Sequence, residues 1–468
     1  MIEISLKEKG ALLILVLVIG SIFFTIFSSF MGFVITQTQV QESKYQQAQA
    51  REIAEAGLNY YKWYLAHNPD DTTNGTGLPG PYVGVYNDPE LGAIGEYSLE
   101  IASSTFCGEV SSIDIYSTGR TYEKPALERT VYARYARPTV AEYAYIINSN
   151  VWAGADRTIV GPYHSNGVIR MDGTNNSTVT SGQEDWVCDG SMSCAPGANG
   201  STVDGVYGDG PNSSLWTFPS TPINFTGLTV DLASMKDKAE NGGGVYIAPS
   251  GKTGYHITFL DDGTFDLYKI NKKQNEPNGY AWGRQMNIIK NAQFQGNYTI
   301  PTSCPLIFVE DALWLDGEVK GKVTIASADI DTVGVDPSII LNDNITYADA
   351  DSGLLAVAEF DVLVGLVVPD DMYLNGIFIA QQGHFGRNYY NTSMPNAWEQ
   401  YILRNSLTLN GTIVSNGRVG TKWTCGGVYC SGFNTRYNSY DRDLVDNPPP
   451  LAPKTSDDFK FIEWREAD

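Results

Sequence analysis

The residues best suited to chemistry in this chain are carboxylates. Asp329, Asp331, Asp349 and Asp351 form the densest acidic group near predicted strands, and two carboxylates about 5 to 10 Å apart can hydrolyse a glycosidic bond. Composition argues against that use. With 53 Asp+Glu against 31 Lys+Arg, acids fall beside one another by chance, so no catalytic residue is assigned and the chain is expected not to be an enzyme. Asp349-Ala-Asp351-Ser-Gly353 could open a calcium loop, but the remaining oxygen ligands of the twelve-residue pattern are missing, and a solvated turn is the better reading. His164, His256 and His384 are isolated, with no serine in a GxSxG setting. His384, in QQGHFG, reads as a turn histidine, with ligand contact as the alternative. Trp398, Tyr401, Trp423 and Tyr429 suit carbohydrate stacking, protein contact or plain packing. Gly242-Gly-Gly-Val lacks the lysine and following helix of a phosphate cradle. The formal net charge of −22 opposes nucleic acid as a partner, because phosphate binding needs many cations. Neither cofactor nor metal is expected.

The six cysteines are few for 468 residues. Cys188 with Cys194, and Cys425 with Cys430, lie close together in glycine-rich sequence and are candidate local disulfides. A zinc site is the rival, but the flanks supply no CxxC pair. Cys107 and Cys304 either pair with each other or stay as buried thiols, a choice the sequence leaves open.

These groups need elements to hold them, and the clearest is at the N-terminus. Residues 11–35, ALLILVLVIGSIFFTIFSSFMGFVI, carry no charge and at about 1.5 Å per residue can cross a bilayer as a helix. Lys7 and Lys9 precede the run, which places the N-terminus in the cytoplasm and the bulk of the chain outside. A cleaved secretory signal would have a shorter apolar core and a small-residue cleavage site, whereas Phe33, Val34 and Ile35 close this one. From Gln37 to His67 there is no proline and a single glycine, Gly57, so the helix is predicted to continue. Ala50, Ala54, Leu58, Tyr61 and Leu65 form an apolar stripe at three- and four-residue spacing that needs a sheet to cover it. His67-Asn-Pro-Asp and the Asn/Gly/Pro-rich stretch 74–81 end the helix. Segments 97–101, 113–117 and 129–135 alternate apolar with polar side chains, as strands of an antiparallel meander do.

The leader KEKG ending at Gly10, the run ALLILVLVIG and the segment AREIAEAGLNYYKWYLAHNP at 50–69 resemble the N-terminal domain of PilX-type minor pilins. The resemblance implies a leader over 1–10 that a prepilin peptidase removes after Gly10, exposing Ala11. It further implies a transmembrane and amphipathic helix over 11–67 on a pilin-like β-meander at 68–137. The partners it implies are the membrane and other pilin subunits, met through the helix. Most pilins carry glutamate at position five of the mature chain; here that position is Leu15, a departure that resembles initiating or tip subunits.

Residues 138–468 read as an extracellular all-β region of short apolar runs broken by Gly, Asn and Asp. Leu315-Asp-Gly317, Leu374-Asn-Gly376 and Leu409-Asn-Gly411, separated by 59 and then 35 residues, each introduce a β-rich run. That reuse predicts coils of a β-solenoid, with a β-sandwich as the alternative. Residues 255–268 form a hairpin about Asp262-Gly263, expected to decorate the stack. The fold expectation is therefore mainly β, with a long N-terminal transmembrane helix on a small antiparallel sheet. The function expectation is a minor pilin-like structural or adhesive component of a type IV pilus or related filament, at the membrane and cell surface. Its head would meet surface carbohydrate or a host or cell-surface ligand. A membrane-anchored polysaccharide-acting enzyme and a DNA-uptake minor pilin are the alternatives.

Overall fold

The computed structural model describes residues 6–68, 71–194, 197–228, 231–275, 286–332, 334–391, 394, 396–456 and 458–467. It is mainly β with one long helix, and it divides into two compact units: Met1–Ala102 with Asp114–Tyr135 and Glu463–Asp468, and Ser103–Ile113 with Ala136–Ile462.

In the smaller unit α1 (Leu6–His67) runs unbroken for 62 residues, as a proline-free sequence rich in Ala, Leu, Gln and Glu favours. It is long and apolar enough to cross a membrane, and nothing covers its most apolar window. Its large apolar side chains from Leu12 to Ile35 are all exposed. Further along, Ala50, Ala54, Leu58, Tyr61 and Leu65 are buried together with Ile53; each large apolar side chain so covered stabilises the fold by about 1.5–3 kcal/mol. Gln46, which the apolar pattern skips, is also buried. Its amide oxygen accepts from Thr121 Oγ1 at 2.7 Å and its amide nitrogen donates to Glu123 at 2.9 Å, so the polar atoms stay paired.

The covering sheet is formed by β1 (Tyr82–Asp88), β2 (Gly92–Phe106), β3 (Glu109–Thr121) and β4 (Arg129–Ala136) in chain order. β1 and β2 pair antiparallel, with Tyr82 opposite Leu99 and Asp88 opposite Gly92. A fifth strand, β5 (Lys460–Ala467), lies beside β4, where Arg129 Nε sits 3.6 Å from Glu466 and the Arg465 guanidinium lies 4.7 Å from the Tyr132 ring centre. Sequence order gives no sign of this return. Gly10 and Ala11, the expected leader boundary, both lie within α1; residues 1–5 lie outside the described residues.

The helix ends at His67, and Asp71 organises the turn that follows. Its carboxylate accepts from Thr73 N at 2.7 Å, Thr73 Oγ1 at 2.6 Å, Gly75 N at 3.0 Å and the Tyr64 hydroxyl. The Thr73 and Tyr64 hydroxyls bring its pKa down to about 2. Pro69 and Asp70, assigned to the helix end from sequence, lie outside the described residues.

The larger unit is built on parallel ladders. Leu306–Val309, Lys322–Ser327, Gly353–Ala358, Asp371–Ala380 and Leu403–Ser415 pair in succession, each parallel to the next. A second ladder joins Gly254–Phe259, Leu313–Val319, Ile339–Tyr347, Val362–Val364 and Phe385–Arg387. This pairing is opposite to that of an antiparallel sandwich. The first strands of the unit join the first ladder after its last: Ile413, Val414 and Ser415 pair with Tyr145, Ile146 and Ile147, which pair with Tyr163–Ser165. The chain therefore lays down rungs from 145 to 217, starts again at 245, and returns to close on its own first rung. The three cysteine pairs are disulfides: Cys188–Cys194, Cys425–Cys430 and Cys107–Cys304.

Two details differ from expectation. Leu374-Asn-Gly376 and Leu409-Asn-Gly411 are not turns; they stack in register within long strands. Gly376 and Gly411 sit there at φ of 145° and 142°, where a Cβ on Gly411 would lie 1.9 Å from the Gly376 carbonyl oxygen. They are bends inside strands, open to glycine alone. Likewise, the hairpin about Asp262-Gly263 forms with Phe259 opposite Phe265, but its first strand is itself a rung, with Tyr255 beside Leu313.

Glycine also sets how closely α1 approaches its sheet. A Cβ on Gly119 would fall 2.1 Å from the Ala50 carbonyl oxygen and 2.5 Å from Ala54 N, and one on Gly57 would meet Ser117 Oγ at 2.4 Å. Backbone cannot give way as a side chain can, so Gly119→Ala is expected to destabilise the smaller unit by about 1–3 kcal/mol. Thermal unfolding of the variant should show it, while alanine at the exposed Val83 leaves the unfolding temperature near that of the parent.

Candidate functional site

The acids singled out from sequence are used separately. Asp329 Oδ1 accepts from the backbone of Thr332 at 3.0 Å, Asp331 pairs with Lys236 at 2.6 Å, and Asp349 accepts from the Ser352 hydroxyl at 2.5 Å. The last two bonds close a turn and an ion pair. No group of three or more His, Cys, Asp or Glu suited to a metal occurs among the described residues. His164 is buried with its two ring nitrogens on Thr180 and Asn166 at 2.8 and 2.9 Å, and burial lowers its pKa. His256 Nε2 meets Asp316 Oδ2 at 2.7 Å.

The aromatic candidates divide in the same way. Trp398 and Tyr401 pack against buried Leu366, Tyr390 and Ile402. The Tyr429 hydroxyl donates to the Arg404 carbonyl at 2.8 Å. These three serve packing, whereas Trp423 lines a cleft of about 780 Å³ together with His384.

That cleft lies at one edge of adjacent rungs. Asp361 precedes Val362–Val364, His384 precedes Phe385–Arg387, and these two strands pair. Gly386 bridges in turn to Gly420, which brings in residues 417–424, and residues 152–156 supply the remaining wall. His384 Nδ1 stands 2.8 Å from Asp361 Oδ1, which also accepts the His384 backbone N–H at 2.7 Å. One carboxylate therefore fixes both the ring and the loop that carries it.

Cations dominate the walls: Arg387, Arg418, Lys422 and Arg436 against Asp156 and Asp361. Arg436 grips Asp156 through Nε and Nη2, both at 2.9 Å, and Lys422 Nζ is 3.6 Å away. Burial pushes the Asp156 carboxyl up, but Arg436, Lys422 and Arg157 together hold it below its ordinary value. Buried Arg387 donates from Nη2 to the carbonyls of Leu366 and Tyr401 at 2.9 and 2.6 Å, between the rings of Tyr390 and Phe433. Trp423 Nε1 donates to the Arg387 carbonyl at 3.1 Å, which aligns its indole with the wall. Behind the cleft Arg157 is buried in register with Arg436, 5.4 Å from the Tyr145 ring centre.

Sequence reading reached only His384 and Trp423 among these residues. Asp156, Arg387 and the stretch 418–436 that holds Arg418, Lys422 and Arg436 lie far apart along the chain, and an excess of acid over base conceals a local excess of base. The nearest signal was the clustering of Arg387, Arg418 and Lys422 around the two named residues.

No protein-family model and no curated protein matches the sequence. Among solved structures the chain is similar to the competence-associated pilin ComZ from Thermus thermophilus, at 13% identity over 90% of this chain and 97% of that one, with a TM-score of 0.29. At that score the likeness carries no argument about this chain.

The His256–Asp316 contact gives a pH signature. Burial raises the Asp316 carboxyl, but hydrogen bonds from His256, Asn342 and Thr258 outweigh it and leave the pKa below 3.8. A carboxyl depressed by folding contributes stability that is complete above its unfolded value and is lost as pH falls through its folded one. Asp316→Asn should therefore cost about 1.5–3 kcal/mol near neutrality. In thermal unfolding series at decreasing pH, the difference between parent and variant should begin to close below pH 3.8.

Proposed function

We propose that this chain is a minor pilin-like surface subunit, anchored by α1 with its N-terminus in the cytoplasm and its β-rich body outside the cell. The observation that carries the reading is the division of α1 within one unbroken helix: a fully exposed apolar half, Leu12 to Ile35, then a half whose stripe is buried on a small sheet. An apolar surface of that length is stable only in lipid or against other apolar helices. A filament of pilin helices supplies the second and the membrane the first.

On this reading a prepilin peptidase cuts after Gly10 and the helix beginning at Ala11 packs among other subunits. Leu15, exposed on α1, occupies the place where most pilins carry glutamate. A carboxylate buried among helices is costly without a partner, and a subunit that starts or caps a filament has none on one side. The parallel ladders of the larger unit read as coils of a β-solenoid that displays its edge to the exterior, acting by binding rather than by catalysis.

Mass spectrometry of the protein from native membranes and from sheared surface filaments tests the reading. The expected result is a mature terminus at Ala11 in both fractions. An uncut chain confined to membranes would replace the pilin assignment with a simple anchored ectodomain.

A further inference from the structure

We propose that the cleft between Asp361, His384, Arg418 and Trp423 binds a carboxylate-bearing saccharide. Four cations and two carboxylates line the cleft, a local excess of two positive charges on a chain of net charge −22. Both carboxylates are already engaged, Asp361 by His384 and Asp156 by Arg436. Arg418 is exposed, donates only to the Ser191 carbonyl at 3.2 Å, and makes no ion pair among the described residues. Its remaining donors can grip a ligand carboxylate through two parallel hydrogen bonds, the geometry a guanidinium recognises best.

Shape and surface narrow the class. At about 780 Å³ the cleft suits a ligand of one to three sugar rings. Partly buried Trp423 and Trp152 line the cleft, Trp152 with Arg170 4.3 Å from its ring centre, and an indole is a surface on which the C–H face of a pyranose stacks. Asp361 occupies His384 Nδ1, so Nε2 is the atom left to meet a sugar hydroxyl. A neutral sugar would leave the Arg418 guanidinium without an anionic partner. An extended nucleic acid would need a run of phosphate contacts, and beyond this cleft the acidic surface repels it. The inference stands whether or not α1 is processed or polymerised.

The test is calorimetric titration of the full chain in detergent micelles with trigalacturonate, its fully methyl-esterified analogue, and a single-stranded oligonucleotide. Trigalacturonate should bind, and either esterification or Arg418→Glu should weaken it by at least about tenfold. Arg418→Lys, which keeps the charge but loses the two-bond fork, should weaken binding less than Arg418→Glu does, and all forms should keep the parent unfolding temperature because Arg418 is exposed. Absence of trigalacturonate binding, equal binding of the ester, or indifference to Arg418→Glu would overturn the proposal. Oligonucleotide binding that is stronger than trigalacturonate and sensitive to Arg418→Glu would overturn it in favour of nucleic acid.

Discussion

Everything in the larger unit depends on parallel strands holding one register from rung to rung. Side chains alternate across a strand, so a slip of one residue would turn each inward row outward. The register is visible where Leu374, Asn375 and Gly376 lie directly under Leu409, Asn410 and Gly411. Leu374 and Leu409 belong to one apolar cluster with Phe378 and Ile413, while the alternate residues Ile377, Ile379 and Val414 join a second cluster with Met235 and Leu444. Both faces of these strands are therefore covered, as parallel strands require. Gly376 and Gly411 permit the bend that lets strands of ten and thirteen residues turn from one ladder to the next.

The same register produces the cleft. Once Val362–Val364 lies on Phe385–Arg387, the residues that precede each strand must also meet, and Asp361 comes under His384 without further design. Along the neighbouring row, Met372 lies beside Leu407, Leu407 beside Arg436, and Arg436 beside Arg157. The row thus changes from apolar to cationic where the last rungs meet the first. Buried guanidiniums stacked on Tyr145, Tyr390 and Phe433 are costly unless paired or placed over aromatic rings; here they are spent on a cleft whose charge opposes that of the whole chain.

Much of the smaller unit was legible because its signals are local. The stripe from Ala50 to Leu65 repeats at helical spacing, and segments 97–101, 113–117 and 129–135 alternate at strand spacing and fall on β2, β3 and β4. The return of β5 to the edge of that sheet was not legible, since nothing in residues 460–467 names a partner more than three hundred residues earlier. In the larger unit Leu374-Asn-Gly376 and Leu409-Asn-Gly411 stack in register, but a glycine bend inside a strand has the same composition as a turn, so their place within strands is not legible. The cationic cleft escaped notice for a different reason: its residues become neighbours only through register, and composition averages them away. His384 and Trp423 are legible as candidates because the chain holds only 4 His and 9 Trp.

Residues 145–147 complete the ladder that runs through 306–309, with Ile413 N–H on the Ala144 carbonyl at 3.1 Å and Asn148 N–H on the Ser415 carbonyl at 2.9 Å. Native-state amide hydrogen exchange on the full chain measures this directly, because amides in one cooperative stack open together. Amides of 145–147 are expected to exchange as slowly as those of 371–380 and 403–415, and to gain exchange in step with them as denaturant is added. Fast exchange of 145–147 while the later rungs remain protected would contradict that pairing.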